Sequence, residues 1–208
     1  MRLAVDVFSE WADIGKDEGM ERGHAPAVQE ILNAALIAMP SESIERGFSA
    51  IDAGCGNGWV VRILKNNPSC SLAIGVDGAK SMILRALEKD PQGLYFHANL
   101  SSWNPPERVD LVHSMEVLYY LDNIPKFLEM VRREWLVEGG ILAFGIDHYF
   151  ENKESLEWPE KVGVRMNTYS EIEWEKMILD ANFTILKSFR ANADDDWAGT
   201  LSFIAQRN

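Results

Sequence analysis

The run Ile51-Asp52-Ala53-Gly54-Cys55-Gly56-Asn57-Gly58-Trp59 constrains this 208-residue chain more than any other feature. It sets three glycines within five residues, after a short apolar stretch and before the helical pattern Val60, Val61, Ile63, Leu64. Strand, glycine turn and helix together aim backbone N–H groups and a helix N-terminus at a ligand. Glycine is needed where a Cβ would block close approach or forbid the dihedrals of the turn. The spacing is G-x-G-x-G, not the G-x-G-x-x-G of dinucleotide sites, and no Lys follows it as in a P-loop.

The rest of the chain alternates strand and helix around this turn. The pattern predicts strands at 49–53, 71–76, 94–98, 109–114 and 141–146, separated by helices at 59–66, 79–88 and 125–135. A helix at 170–180 follows, with Ser170 as N-cap and Glu173 at the capping-box position. Strands at 184–189 and 200–205 close the chain, joined by a polar turn at 192–199. Upstream, Val28, Ile31, Leu32, Ala35, Leu36 and Met39 share one face of a helix that begins at Pro26 and stops at Pro40. Gly15, Gly19 and Gly23 are read as breaking any longer helix before it. Strands separated by helices give a mostly parallel sheet, and two closing strands without a helix give an antiparallel hairpin at its edge.

With Asp52 two residues before Gly54, the glycine run resembles motif I of the class I S-adenosylmethionine-dependent methyltransferases. The order of the later segments resembles the small-molecule branch of that family: Asp77 closing the second strand, His97-Ala98-Asn99-Leu100 the third, Ser114-Met115-Glu116 the fourth, and Gly139-Gly140 before the fifth. The resemblance covers residues 48–207. It implies an α/β fold, a Rossmann-like three-layer sandwich with a seven-stranded, mostly parallel sheet and a C-terminal antiparallel hairpin. Residues 1–208 would form one domain, with 1–40 as an N-terminal helical lid and 48–207 as the core. The implied cofactor is S-adenosylmethionine, leaving as S-adenosylhomocysteine after direct in-line transfer to a small-molecule acceptor. A non-catalytic S-adenosylmethionine-binding subunit and an NAD(P)-dependent oxidoreductase are the alternatives.

Cofactor contacts are carried over position by position. Asp52, Ala53, Gly54, Cys55, Gly56, Gly58 and Trp59 would hold the methionine part. Asp77 would accept from the ribose hydroxyls, although an Asp before a helix also suits an N-cap. Gly78 and Met82 would lie beside the adenine, with Met82 equally suited to the core. Asn99 stands where the family usually has Asp or Glu; its amide oxygen can still accept from the adenine amino group, and Leu100 would offer a backbone N–H. Ser114 and Met115 would flank the transferring methyl group. The Asn/Asp-Pro-Pro-Tyr-like motif of amino-methylating nucleic-acid enzymes is missing here, and Pro105-Pro106 lies elsewhere.

Glu116 and His24 are the catalytic candidates. A base helps when the acceptor carries a proton, and of the four histidines His113 and His97 lie inside strands, where packing is the ordinary role. His148 follows the fifth strand. Met20 and His24 belong to the segment 11–24, which reads either as the part of the lid that excludes water or as an ordinary amphipathic entry to the helix after Pro26. Tyr149, Trp158, Tyr169 and Trp174 follow the fifth strand, where an acceptor pocket is expected, with Trp174 also suited to the core. No C-x-x-C or H-E-x-x-H suggests a metal, and Asp194-Asp195-Asp196 lacks the rest of an EF-hand loop.

A net charge of −12 argues against a nucleic-acid partner or an anionic membrane, since such affinity rests on Lys and Arg neutralising phosphates. The first residues lack an apolar signal-peptide core and no apolar run approaches the ~18 residues of a membrane span. Cys55 sits inside the glycine turn, where pairing would distort it, so a reduced, cytoplasmic chain is expected. The sequence leaves the acceptor, the atom methylated and the oligomeric state open.

Overall fold

A computed structural model describes residues 1–195 and 197–208. Seven strands form one sheet: β1 (Phe48–Ala53), β2 (Cys70–Asp77), β3 (Leu94–His97), β4 (Val109–Met115), β5 (Leu136–Ile146), β6 (Phe183–Ala191) and β7 (Thr200–Arg207), in the order β3-β2-β1-β4-β5-β7-β6. β1 to β5 pair in parallel, while β7 inserts antiparallel between β5 and β6. This is the expected three-layer α/β architecture with its closing hairpin.

Alternation along the central strands explains the layers. In β1, Ile51 and Ala53 face one side and Phe48 and Ala50 the other. The first side buries Phe127 and Trp135 near α6 (Ile124–Met130) and Trp174 and Ile178 of α8 (Glu171–Asp180). The second buries Val28, Ile31, Leu32 and Ala35 of α2 (Asp17–Ala38) and Val60, Val61 and Leu64 of α4 (Trp59–Lys65). Each of the buried Val, Leu, Ile and Phe side chains among them contributes roughly 1.5–3 kcal/mol. Ser170 caps α8 through the expected reciprocal box, its Oγ accepting from Glu173 N at 3.3 Å.

Differences from the sequence reading are local, and each has a cause. α2 runs from Asp17 straight through Gly19, Gly23 and Pro26, after a separate α1 (Ala4–Asp13). Only Gly15, at φ +75°, breaks the chain. Gly19 and Gly23 sit where an added Cβ would meet nothing within 4 Å, so they cost helix propensity, about 1 kcal/mol each, without opposing the helix sterically. The predicted helix at 125–135 is α6 followed by a π-helical turn at Val131–Trp135. β5 begins five residues early because Gly139, at φ +73°, lets the strand bulge: Val109 pairs Leu136 and Leu111 pairs Ile141. Short helices α3 (Ser41–Glu45), α5 (Lys80–Lys89) and α7 (Trp158–Val162) complete the set, with 3-10 turns at Leu118–Tyr120 and Lys153–Glu157. Of the acidic run, Asp196 lies outside the described residues, and Asp194 Oδ1 accepts from Trp197 N at 2.7 Å.

At the lower end of the sheet, Asp110 is a buried anchor. It accepts from Ser43 Oγ at 2.8 Å, from Ser49 N at 2.9 Å and from Arg46, tying α3 to β1 and β4. The upper ends of the strands are left for the cavity. No helix among the described residues is long and apolar enough to cross a membrane.

Candidate functional site

The C-terminal ends of β1 to β4 open into one cavity of about 980 Å³, at the point where strand order reverses. Small-molecule sites typically hold roughly 300–1,000 Å³. β1 and β2 deliver the glycine turn and Asp77 side by side, since Ala53 pairs Val76. Asp77 accepts from Gly56 N at 2.9 Å and from Ala79 N at 2.7 Å, so it clasps the glycine turn to the start of α5. Each oxygen keeps a lone pair for a ligand hydroxyl. Burial pushes the Asp77 carboxyl above its usual range, against the pull of those two N–H groups.

The turn itself requires glycine. Gly54 holds φ +79°, and a Cβ there would lie 2.2 Å from Val117 Cγ2. Gly56, at φ +51°, opens toward the cavity, with only Met82 Sδ within 4 Å of an added Cβ, at 3.9 Å. Gly54→Ala is expected to cost about 1–2 kcal/mol in backbone strain alone and to lower the melting temperature by several degrees. An unchanged melting curve would remove the steric account of this turn.

Most of the sequence-predicted residues meet here. Asp52, Gly54, Cys55, Gly56, Trp59, Asp77, Gly78, Met82, Asn99, Leu100 and Met115 line the cavity, as do His24 and Glu116. Three do not. Ala53 is a fully buried strand residue. Ser114 points into the sheet, its Oγ donating to Ala53 O at 2.8 Å. Gly58 starts α4 in the left-handed conformation, where a Cβ would strike Tyr95 at 2.6 Å. Asn99 lines the rim with its Oδ1 already accepting from Ser101 N at 2.9 Å, leaving one lone pair. Trp158 alone of the four aromatic candidates after β5 lines the cavity; Tyr149 donates to Gly199 O at 3.1 Å, and Tyr169 and Trp174 pack together. His97 also lines it and bonds Gly78 O at 3.1 Å.

Helices α1 and α2 cover this mouth. Leu3, Val5, Phe8 and Trp11 come from or beside α1, and Asp17, Met20, Glu21 and His24 from successive turns of α2. Asn57, in the glycine turn, donates to Asp17 Oδ2 at 2.9 Å and to Glu21 Oε2 at 3.1 Å, fastening α2 to the turn. Arg2 N donates to Gly163 O at 2.9 Å, linking the N-terminus to the segment after α7.

At the exits of β4 and β5, His24, Glu116 and Asp147 each bring an atom able to ligate a metal ion within 4.8 Å of the others. Sequence spacing did not reveal this grouping, because its members come from three distant segments. Glu116 sits at φ +59°, an uncommon conformation for a side-chain-bearing residue. It accepts from Tyr119 Oη at 2.7 Å and from the backbone N–H of Asp147. Burial and the neighbouring Asp147 hold its carboxyl well above the usual range. Burial likewise raises Asp147 and lowers His24, whose Nε2 lies 3.7 Å from Asp147 Oδ2. The remaining histidines are structural: His113 Nδ1 contacts Asp52 Oδ1 at 2.7 Å within the sheet, and His148 lies between Ser155 O and Thr168 Oγ1.

Because Glu116 binds its proton more tightly folded than unfolded, stability is present below the unfolded carboxylate range and lost as pH rises through the raised value. The groups facing it are Tyr119, Tyr120, His24 and Asp147. As pH rises above about 4.5, the melting temperature of Glu116→Gln is expected to gain on that of the native protein, because the variant has no such contribution to lose. Parallel curves for the two proteins would contradict the assignment.

The comparisons agree on one kind of protein. A family model described as a methyltransferase domain matches residues 21–188. The trans-aconitate 2-methyltransferase of Afipia carboxidovorans is 30% identical over 93 residues, 44% of this chain and 36% of that protein. The chain spans less than half the length of the curated relatives it matches. A chain from the complex between the Haloferax volcanii Trm112 methyltransferase activator and its methyltransferase is 25% identical with a TM-score of 0.84, covering 100% of this chain and 99% of that one. The N-methyltransferase NodS of Bradyrhizobium japonicum, solved with S-adenosyl-L-homocysteine, shares the fold at 18% identity and a TM-score of 0.62, over 86% of this chain and 84% of that one.

Proposed function

The chain belongs to the methyltransferase domain family, and from that premise we propose that it transfers the methyl group of S-adenosylmethionine to a small-molecule acceptor by direct in-line displacement. The observation that carries this reading is the clasp of Asp77 and the glycine turn beside a cavity of about 980 Å³. The cavity fits that cofactor. Gly56 opens toward it, Asp77 retains an acceptor site on each oxygen, and Met82, Asn99 and Leu100 lie along the same wall. Asp77 would take the ribose hydroxyls, Gly54 and Gly56 the methionine part, and Met82 the adenine face. The bound cofactor supplies an activated methyl group on a sulfonium; the chain binds, orients and excludes water. We take residues 1–40 as a lid over a single 1–208 domain, the Asn57 contacts to Asp17 and Glu21 being its latch.

The acidic surface supports a small molecule rather than a nucleic acid as acceptor. Methyl transfer from labelled S-adenosylmethionine to a panel of small amines, alcohols, thiols and acids tests the reading. Product from any of them supports it, and tight S-adenosylhomocysteine binding with transfer to none would favour the binding-subunit alternative.

A second reading, that the chain works with an activator subunit, is favoured by the end-to-end match to the Haloferax protein. The open edge strand β3 also leaves Leu94 and Phe96 exposed and its outer backbone groups unpaired. A rise in melting temperature on mixing with the Haloferax activator, lost in Phe96→Asp, would support it. No rise would discard it.

A further inference from the structure

The part of the cavity beyond β4 has a charge and surface that choose among acceptors. Resting on the methyltransferase reading above, we infer that the acceptor is a small amine with an apolar or aromatic body. Its ammonium would be received by Glu116 beside the rings of Tyr120 and Trp158, which line the cavity. Among the described residues lining the cavity there are six carboxylates, and the one ammonium or guanidinium group is Lys161. Lys161 sits exposed at the rim, already paired to Glu157 at 2.9 Å. Recognition of a multiply charged carboxylate, such as the trans-aconitate for which the curated relatives are named, calls for several Arg forks or Lys charges, and among the described residues Lys161 is the one such group on this lining. A carboxylate ligand would instead meet Glu116, with Asp147 behind it.

An ammonium reverses each of these penalties. Two carboxylates packed together, with a single imidazole 3.7 Å from one of them, make a costly buried grouping that a cation relieves. Tyr120 faces the cavity, backed by the buried ring of Tyr119 at a centroid distance of 4.4 Å and met edge-on by Phe8 at 5.2 Å, so the wall beside Glu116 is aromatic. Aromatic faces attract ammonium groups once water is excluded. The raised proton affinity of Glu116 also suits it to take a proton from an ammonium better than an ordinary carboxylate would.

The chemistry balances. The ammonium gives one proton to a Glu116 oxygen, which frees the nitrogen lone pair. That lone pair forms the N–C bond as the C–S bond breaks, the bonding electrons staying on sulfur. The products are an N-methylammonium, neutral S-adenosylhomocysteine and a protonated Glu116 that returns its proton to solvent.

The test is calorimetric. S-adenosylhomocysteine is titrated first, then 2-phenylethylamine or its near-isostere 3-phenylpropanoate into the saturated protein, for the native chain and Glu116→Gln. We expect the amine to bind at least tenfold tighter than the carboxylate, and Glu116→Gln to erase most of that preference. If the carboxylate binds as tightly, or neither probe binds, the amine inference is overturned while the methyltransferase reading stands. If S-adenosylhomocysteine itself does not bind, the methyltransferase reading fails and carries this one with it. Amine binding that requires Mg²⁺ or Zn²⁺ and is lost with EDTA would assign the His24, Glu116 and Asp147 grouping to a metal ion and overturn the inference too.

Discussion

Replacing Asp77 with Ala is expected to weaken S-adenosylhomocysteine binding by about 5- to 150-fold, the scale of roughly 1–3 kcal/mol for hydrogen bonds to a charged group. The same change strips the backbone N–H groups of Gly56 and Ala79 of their acceptor, so the glycine turn loses its clasp to α5. Asp77→Asn should be nearly as damaging despite its shape. Both Asp77 oxygens accept from an N–H, and an amide has only one oxygen, so its NH₂ would face a donor. Calorimetry on the two folded variants checks this. Native affinity in Asp77→Asn would mean that the carboxylate charge and its second acceptor do no work in the site.

The largest kinetic effect is expected at Glu116. If it receives the acceptor's proton, Glu116→Gln should lower kcat by about 10²- to 10⁴-fold with an amine acceptor, and leave S-adenosylhomocysteine affinity within a few-fold. Gln fits the site. Its oxygen can accept from the Asp147 N–H while its NH₂ donates to Tyr119 Oη, whose proton can rotate away. The readout that separates chemistry from structure is the pH profile. The native enzyme should lose activity as pH falls through the raised Glu116 value, because the protonated carboxyl cannot take another proton. The variant should lack that limb. A Glu116→Gln enzyme with native kcat and a native profile would make Glu116 a structural residue.

Much of this molecule was legible in its sequence because the informative signals were local. The glycine turn and the capping box at Ser170 each rest on residues a few positions apart, and strand alternation marked the parallel core. The missed parts depend on distant segments. Gly19, Gly23 and Pro26 read as breakers, so the helical spacing of Asp17, Met20, Glu21 and His24 went unused, although it sets these residues on neighbouring turns of α2 facing the cavity. Those helix-weakening residues are tolerated because α2 buries Val28, Ile31 and Leu32 and is latched by Asn57, so packing outweighs propensity. Asp147 was invisible as a site residue. Only the parallel pairing of β4 with β5, Met115 opposite Gly145, brings it beside Glu116. Ser114 erred the other way, since strand alternation turns it into the sheet toward Ala53.

If the clasped turn and Asp77 form an S-adenosylmethionine site, calorimetric titration of the purified chain with S-adenosylmethionine, S-adenosylhomocysteine and NADH gives micromolar binding of both adenosyl ligands and none of NADH. Binding of NADH alone, or of none of the three, would overturn that site.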